Sequence, residues 1–185
     1  MRTLLLLSTA VLCLAQSAPT QLDRLKWSTY ASVGPPNLLA GTVTSAVSTW
    51  QNDPPEYGPH WKGYGKRQLL RLGGALTSNF MEAELGALWG EDPRYRRSGR
   101  GPIKKRAFYA VKTAFLAYDR NGHTMPAYAR YASISGSNVL GNTWRPDSQR
   151  TASETGSRIA LGFVGRIVSN AFAEFWPDVR SRIRH

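Results

Sequence analysis

Cysteine is nearly missing from this chain: one residue, Cys13, in 185. A lone cysteine excludes an intramolecular disulfide and a thiolate metal site. Histidine is scarce too. His60, His123 and His185 form neither H-E-x-x-H nor H-x-H, so no metalloprotease-type site is written here. Acidic residues are few, 12 against 24 Lys and Arg, which leaves a formal charge of +12. There is no G-x-S-x-G elbow and no phosphate-binding G-x-x-x-x-G-K-[ST] loop. Gly63-Tyr64-Gly65 lacks the third glycine of a dinucleotide fingerprint. The glycine of Asp119-Arg120-Asn121-Gly122 comes too early for an EF-hand. No metal and no cofactor is therefore expected.

What is present begins with an export pattern. Arg2 is followed by the apolar run Leu4–Leu14, and Cys13-Leu14-Ala15 places small residues three and one before a cut after Ala15. That is the layout of a cleaved signal peptide over 1–15, in a run too short for a stop-transfer helix. Leu12 before Cys13 argues against a lipoprotein. The mature chain, 16–185, then holds no cysteine and must be stabilised by packing alone. The full chain is 42% hydrophobic, which is enough apolar material for a core.

Proline and glycine cut the mature chain into five blocks. They run from Pro35 to Trp50, Lys66 to Trp89, Lys104 to Tyr118, Pro126 to Trp144, and Ala152 to Trp176, where Pro177 ends or kinks the last. Their periodicity is helical. Leu69, Leu72, Leu76 and Phe80 form one stripe, Phe108, Val111, Phe115 and Tyr118 another, and Ile159, Phe163, Ile167, Ala171 and Phe175 a third. Ser148 or Ser153 is the expected cap of the fifth helix. Asn121-Gly122 also suits a hairpin tip with Phe115–Tyr118 as one arm. Interior glycines are frequent, and each costs about 1 kcal/mol against alanine, so either close approach of helix axes offsets them or the blocks are shorter, kinked helices. The sum is an all-α fold: a compact bundle of about five helices in a single domain over 16–185.

The densest charge is Arg94, Arg96, Arg97, Arg100, Lys104, Lys105 and Arg106. Arginine forks chelate phosphate oxygens, so this segment is the candidate anion-binding surface; the same charge also reads as a solvated loop. In an exported chain the partner is an anionic lipid or envelope polymer, and no nucleic acid is expected. Glu91-Asp92 and His123 are the candidate acid/base groups of a hydrolase, although adjacent carboxylates beside Arg94 and Arg97 also suit ion pairing. Trp50, Trp89, Trp144 and Trp176 fall at block ends, as at a membrane interface or a bundle rim.

Several strings stand in a fixed order: Tyr57-Gly58, Gly63-Tyr64-Gly65-Lys66-Arg67, Glu91-Asp92-Pro93-Arg94-Tyr95, Trp144-Arg145-Pro146-Asp147 and Glu174-Phe175-Trp176-Pro177-Asp178. The set resembles an uncharacterised family of exported bacterial proteins of acidobacterial type, over nearly the whole mature chain. That resemblance implies export, an envelope location and one helical domain, and it carries no catalytic residue across. It singles out Tyr64, Lys66, Arg67, Glu91, Asp92, Arg94 and Tyr95 as a polar cluster, functional or structural, with Arg67 or Arg94 pairing Glu91 or Asp92. Three functions follow as expectations. The first is a non-enzymatic envelope protein, periplasmic or peripherally associated with an anionic lipid or glycan surface. The second is an envelope hydrolase using the loop carboxylates or His123. The third is a membrane-embedded packing protein in which Trp27–Asn52, free of charge, and Leu161–Trp176 enter lipid.

Overall fold

The computed structural model describes residues 18–183, so the signal-peptide expectation for 1–15 lies outside the described residues. The fold is an all-α bundle with one small hairpin. Its order is α1 (Gln21–Val33), α2 (Pro35–Trp50), α3 (Trp61–Trp89), α4 (Ile103–Phe115), β1 (Leu116–Tyr118), β2 (Thr124–Pro126), α5 (Tyr128–Gly141) and α6 (Ala152–Ile183). Helix α3 is central and packs against α1, α2 and α5, while α6 lies across α4 and α5.

Local chemistry sets most of the boundaries. Thr20 and Asp23 cap α1 reciprocally, each side chain accepting from the other's backbone N–H. Pro35 and Pro36 open α2, where their missing N–H groups cost nothing. Gly90 ends α3 at φ 81°, a left-handed cap that a side chain would strain. Thr151, rather than Ser148 or Ser153, caps α6: its hydroxyl accepts the Glu154 N–H at 3.2 Å. Helix α6 also runs through Pro177 to Ile183 instead of ending there. The hairpin pairs Leu116 with Pro126 and Tyr118 with Thr124, and its tip is tied by the Asp119 carboxylate, which accepts from Asn121 N and His123 N. Helix α1 precedes the first block expected from the sequence. Its inward stripe is Arg24, Ser28 and Ser32, so no apolar face announces it.

The interior departs furthest from expectation. Among the described residues, the buried hydrophobic ones are six alanines and Ile134. Fourteen of the described residues are polar or charged and buried, among them Arg24, Arg67, Glu82, Arg130, Asn170 and Glu174. Thirty large apolar side chains of the described residues are exposed instead, and they occur on every helix. Leu69, Leu76 and Phe80 of the α3 stripe point outward, as do Phe108, Val111 and Phe115 of α4 and Val164, Val168 and Phe172 of α6. The apolar stripes therefore exist but do not build the core. Small residues take that place. A side-chain carbon at Gly162 would come within 2.7 Å of Ile134, so glycine is what lets α6 approach α5 there. Other glycines, such as Gly73 and Gly165, have open space beside them and show no such role. Among the described residues no helix is long and apolar enough to cross a membrane.

Candidate functional site

The chemistry-bearing side chains gather in four places. Midway along the bundle, Glu82 of α3 accepts from Arg130 Nε of α5 at 3.0 Å and from Arg166 Nη2 of α6. Arg130 also donates to the carbonyls of Thr113 and Ala114 at 2.7 and 3.0 Å. Arg166 lies over the Trp27 ring. One carboxylate thus joins three helices, and the second guanidinium is covered by an aromatic face.

Glu174 of α6 forms the second cluster and is fully buried. Its two oxygens accept from Tyr95 Oη at 2.9 Å, Ser98 N at 3.0 Å, Ser98 Oγ at 2.8 Å and Arg106 Nε at 2.8 Å. Its backbone carbonyl accepts from Arg97 and Arg106. Asp178, one turn on, pairs with the same two arginines. Burial, then donation to Glu174, pushes the Tyr95 hydroxyl well above the usual phenol range, so Tyr95 stays a donor.

The third cluster caps the end of α3. Asp92 accepts from Arg94 N, Arg94 Nε and Arg96 Nη2 at 3.0, 2.9 and 3.2 Å. Burial opposes its charge, but the arginine hydrogen bonds win and hold it below the ordinary aspartate value. Arg96 also lies over the Tyr118 ring at 4.7 Å. Glu91 differs from its neighbour. It accepts the Ala129 N–H at 2.9 Å, and burial raises its pKa. Arg24 of α1 donates to the Glu91 carbonyl at 2.7 Å.

The fourth is Arg67, near the other end of α3. Its guanidinium donates to the carbonyls of Asp53, Pro54 and Gly58, each at 2.8 Å, and so holds the α2–α3 loop. Tyr57 lies against both Lys66 and Arg67, and Tyr64 packs edge-on against Trp61.

The residues expected from the sequence divide accordingly. Of the basic segment, Arg94, Arg96 and Arg106 hold buried carboxylates and the exposed Arg97 pairs with half-exposed Asp178, whereas Arg100, Lys104 and Lys105 are exposed with no ion pair among the described residues. Arg94 does pair Asp92. Arg67 pairs neither acid, because about 33 Å of helix lies between it and the end of α3 at Trp89, at 1.5 Å per residue. Tyr64, Lys66 and Arg67 are thus not in one cluster with Glu91, Asp92 and Tyr95. His123 faces Asp119 at 3.4 Å, and its side chain is 80% exposed. The cavity beside Asp92 and Tyr118 holds about 10 Å³, at most one water, and His123 does not line it. Glu82, Arg130, Arg166 and Glu174 were missed as site residues. Their signal was an inward stripe such as Arg166, Asn170, Glu174 and Asp178, four apart and all polar. Among the described residues no group of three or more His, Cys, Asp or Glu is placed to hold a metal.

Neither a family model, nor a curated protein, nor a solved structure matches this chain.

Proposed function

We propose that this chain is a membrane-embedded envelope protein whose bundle turns its apolar side chains to lipid and keeps its charges between helices. One observation carries the reading: the inversion of the interior, with fourteen polar residues buried and thirty large apolar ones exposed. In water each half-exposed side chain of that size forgoes about 1 kcal/mol. Thirty of them amount to on the order of 30 kcal/mol, against a net folding stability of about 5–15 kcal/mol. In lipid that loss disappears.

The distribution favours lipid over a second copy. A dimer interface covers one face, but Leu25, Leu39, Leu69, Phe108, Val139 and Val168 lie on six different helices. A hydropathy average along α3 or α6 counts inward Arg67, Glu82, Arg166 and Glu174 with outward Leu and Phe. It therefore understates how apolar the outer face is. The reading requires embedding and does not require any one helix to cross alone. Trp50 and Trp61, 85% and 87% exposed at one end, and Trp89 and Trp176 elsewhere on the surface, suit the amphipathic boundary of a bilayer. Arg100, Lys104 and Lys105 would then meet anionic head groups. Peripheral docking through that segment alone would leave the apolar exterior in water. Nothing in the geometry favours the hydrolase, since Glu91 and Asp92 are engaged by backbone and arginine partners.

Membrane fractionation tests this. The mature chain should stay in the membrane pellet after a carbonate wash and leave it only with detergent. A monodisperse monomer in aqueous buffer without detergent contradicts it.

A further inference from the structure

The end of the bundle that carries Trp50 and Trp61 also holds a cavity of about 120 Å³, roomy enough for several waters and hence for one tetrahedral oxyanion. It lies between α2, the α2–α3 loop, α3 and the segment after α5. Three guanidiniums line it, from Arg67, Arg71 and Arg145. Arg67 is committed to three carbonyls of the loop. The other two are not committed. Arg71, an exposed residue whose guanidinium lines the cavity, makes no side-chain hydrogen bond and no ion pair among the described residues. Arg145 donates one Nη to Gln149 at 3.0 Å, and its buried Nε has no partner. No carboxylate pairs with either. Asp53, the acid on the wall, offers its backbone carbonyl to Arg67. Burial and the nearby Arg158 both work against the charge on Arg145. Ser48 and Tyr57 add hydroxyls to the wall.

A concave site with three guanidiniums against one carboxylate, Asp53, which forms no ion pair with any of them among the described residues, and with a buried donor hydrogen on Arg145, is short of an anion. The contrast with the basic segment is direct. There, four of seven cations already hold carboxylates, while here none is neutralised. We propose that this cavity is a phosphate-binding site in which Arg71 and Arg145 are the principal donors. The occupant is a phosphate group, either free or on a lipid head group. The head-group source rests on the membrane reading, since Trp50 and Trp61 set the cavity at the polar boundary; the site itself does not.

The test uses the full mature chain in a non-ionic detergent at physiological ionic strength. Binding is titrated by calorimetry with inorganic phosphate and, separately, with a short-chain phosphatidic acid. At least one probe should bind. That binding should weaken about tenfold or more in Arg71→Gln and in Arg145→Gln, and stay unchanged in Lys104→Gln/Lys105→Gln. Both probes binding supports a general phosphate site, phosphatidic acid alone a lipid site, and inorganic phosphate alone a soluble ligand. Arg71 has no structural partner to lose, so Arg71→Gln folds and decides the matter should Arg145→Gln unfold. Neither probe binding, unchanged binding in Arg71→Gln, or equal weakening by the lysine pair overturns the proposal. A chain that needs no detergent but binds phosphate would end the membrane reading and leave this site standing.

Discussion

Glu174→Gln should be among the most damaging conservative changes in the chain. The carboxylate is fully buried, and its oxygens accept four donors, two each. Tyr95 and Ser98 can turn their hydroxyls. The Ser98 backbone N–H and Arg106 Nε cannot turn. A glutamine NH₂ in place of either oxygen therefore points a donor at a fixed donor. It also leaves Asp178, whose side chain is 46% exposed, as the one carboxylate paired with Arg106, which keeps its bond to the residue 174 carbonyl. Removing one partner of a buried charged pair costs about 3–5 kcal/mol, a large fraction of a net stability of about 5–15 kcal/mol. In a protein of this size that lowers Tm by roughly 10 °C. Thermal unfolding followed by circular dichroism measures it. The same change unclamps the loop that Glu174 holds through Tyr95, Ser98 and Arg106, so trypsin should cut after Arg96, Arg97 and Arg100 faster. Asp178→Asn, at a half-exposed pair, should cost less than about 1 kcal/mol. Equal and small losses for the two variants would refute the ranking.

Glu82→Gln should cost about 3–5 kcal/mol, because it leaves Arg130 and Arg166 facing each other in the interior; chemical unfolding measures the loss. Asp92 and Glu91 should have opposite pH signatures. The lowered pKa of Asp92 means that its charge stabilises the fold above the unfolded value near 3.9 and that this is lost as pH falls through the folded pKa. The raised pKa of Glu91 means that stability is lost as pH rises through it. At neutral pH Asp92→Asn should cost about 3 kcal/mol. Glu91→Gln keeps the Ala129 contact and should be neutral or stabilising, and urea midpoints at neutral and acid pH separate the two. Arg67→Lys should cost about 2–3 kcal/mol, since one ammonium cannot reach the carbonyls of Asp53, Pro54 and Gly58 together.

Helices α2 to α6 were legible because Pro35, Gly90, Pro102 and Asn121-Gly122 punctuate the chain where the backbone turns. The direction of each helix was not. A stripe of Leu69, Leu76 and Phe80 has the same period whether it faces a core or lipid. Its inward counterpart in α1, Arg24 with Ser28 and Ser32, carries no hydrophobic signal at all. The pairing of Arg94 with Asp92 is local and was readable from two residues of spacing. The clamp of Tyr95, Ser98 and Arg106 on Glu174 spans 68 to 79 residues, so only the tertiary fold reveals it. The same holds for Arg71 and Arg145, which the sequence places in separate blocks.

The absence of other cysteines makes the central claim directly measurable. With Cys13 replaced by serine, single cysteines at Leu69, Phe108 and Val168 can be compared with cysteines at Lys105 and His123 for labelling by a membrane-impermeant maleimide in reconstituted vesicles. An outer face set in lipid predicts that the first three are protected, that the last two react once the vesicles are opened, and that all five react when the folded chain is held in a short-chain detergent that admits water. Rapid labelling of Leu69→Cys, Phe108→Cys and Val168→Cys in intact bilayers would show that these side chains face water, and the account would fail.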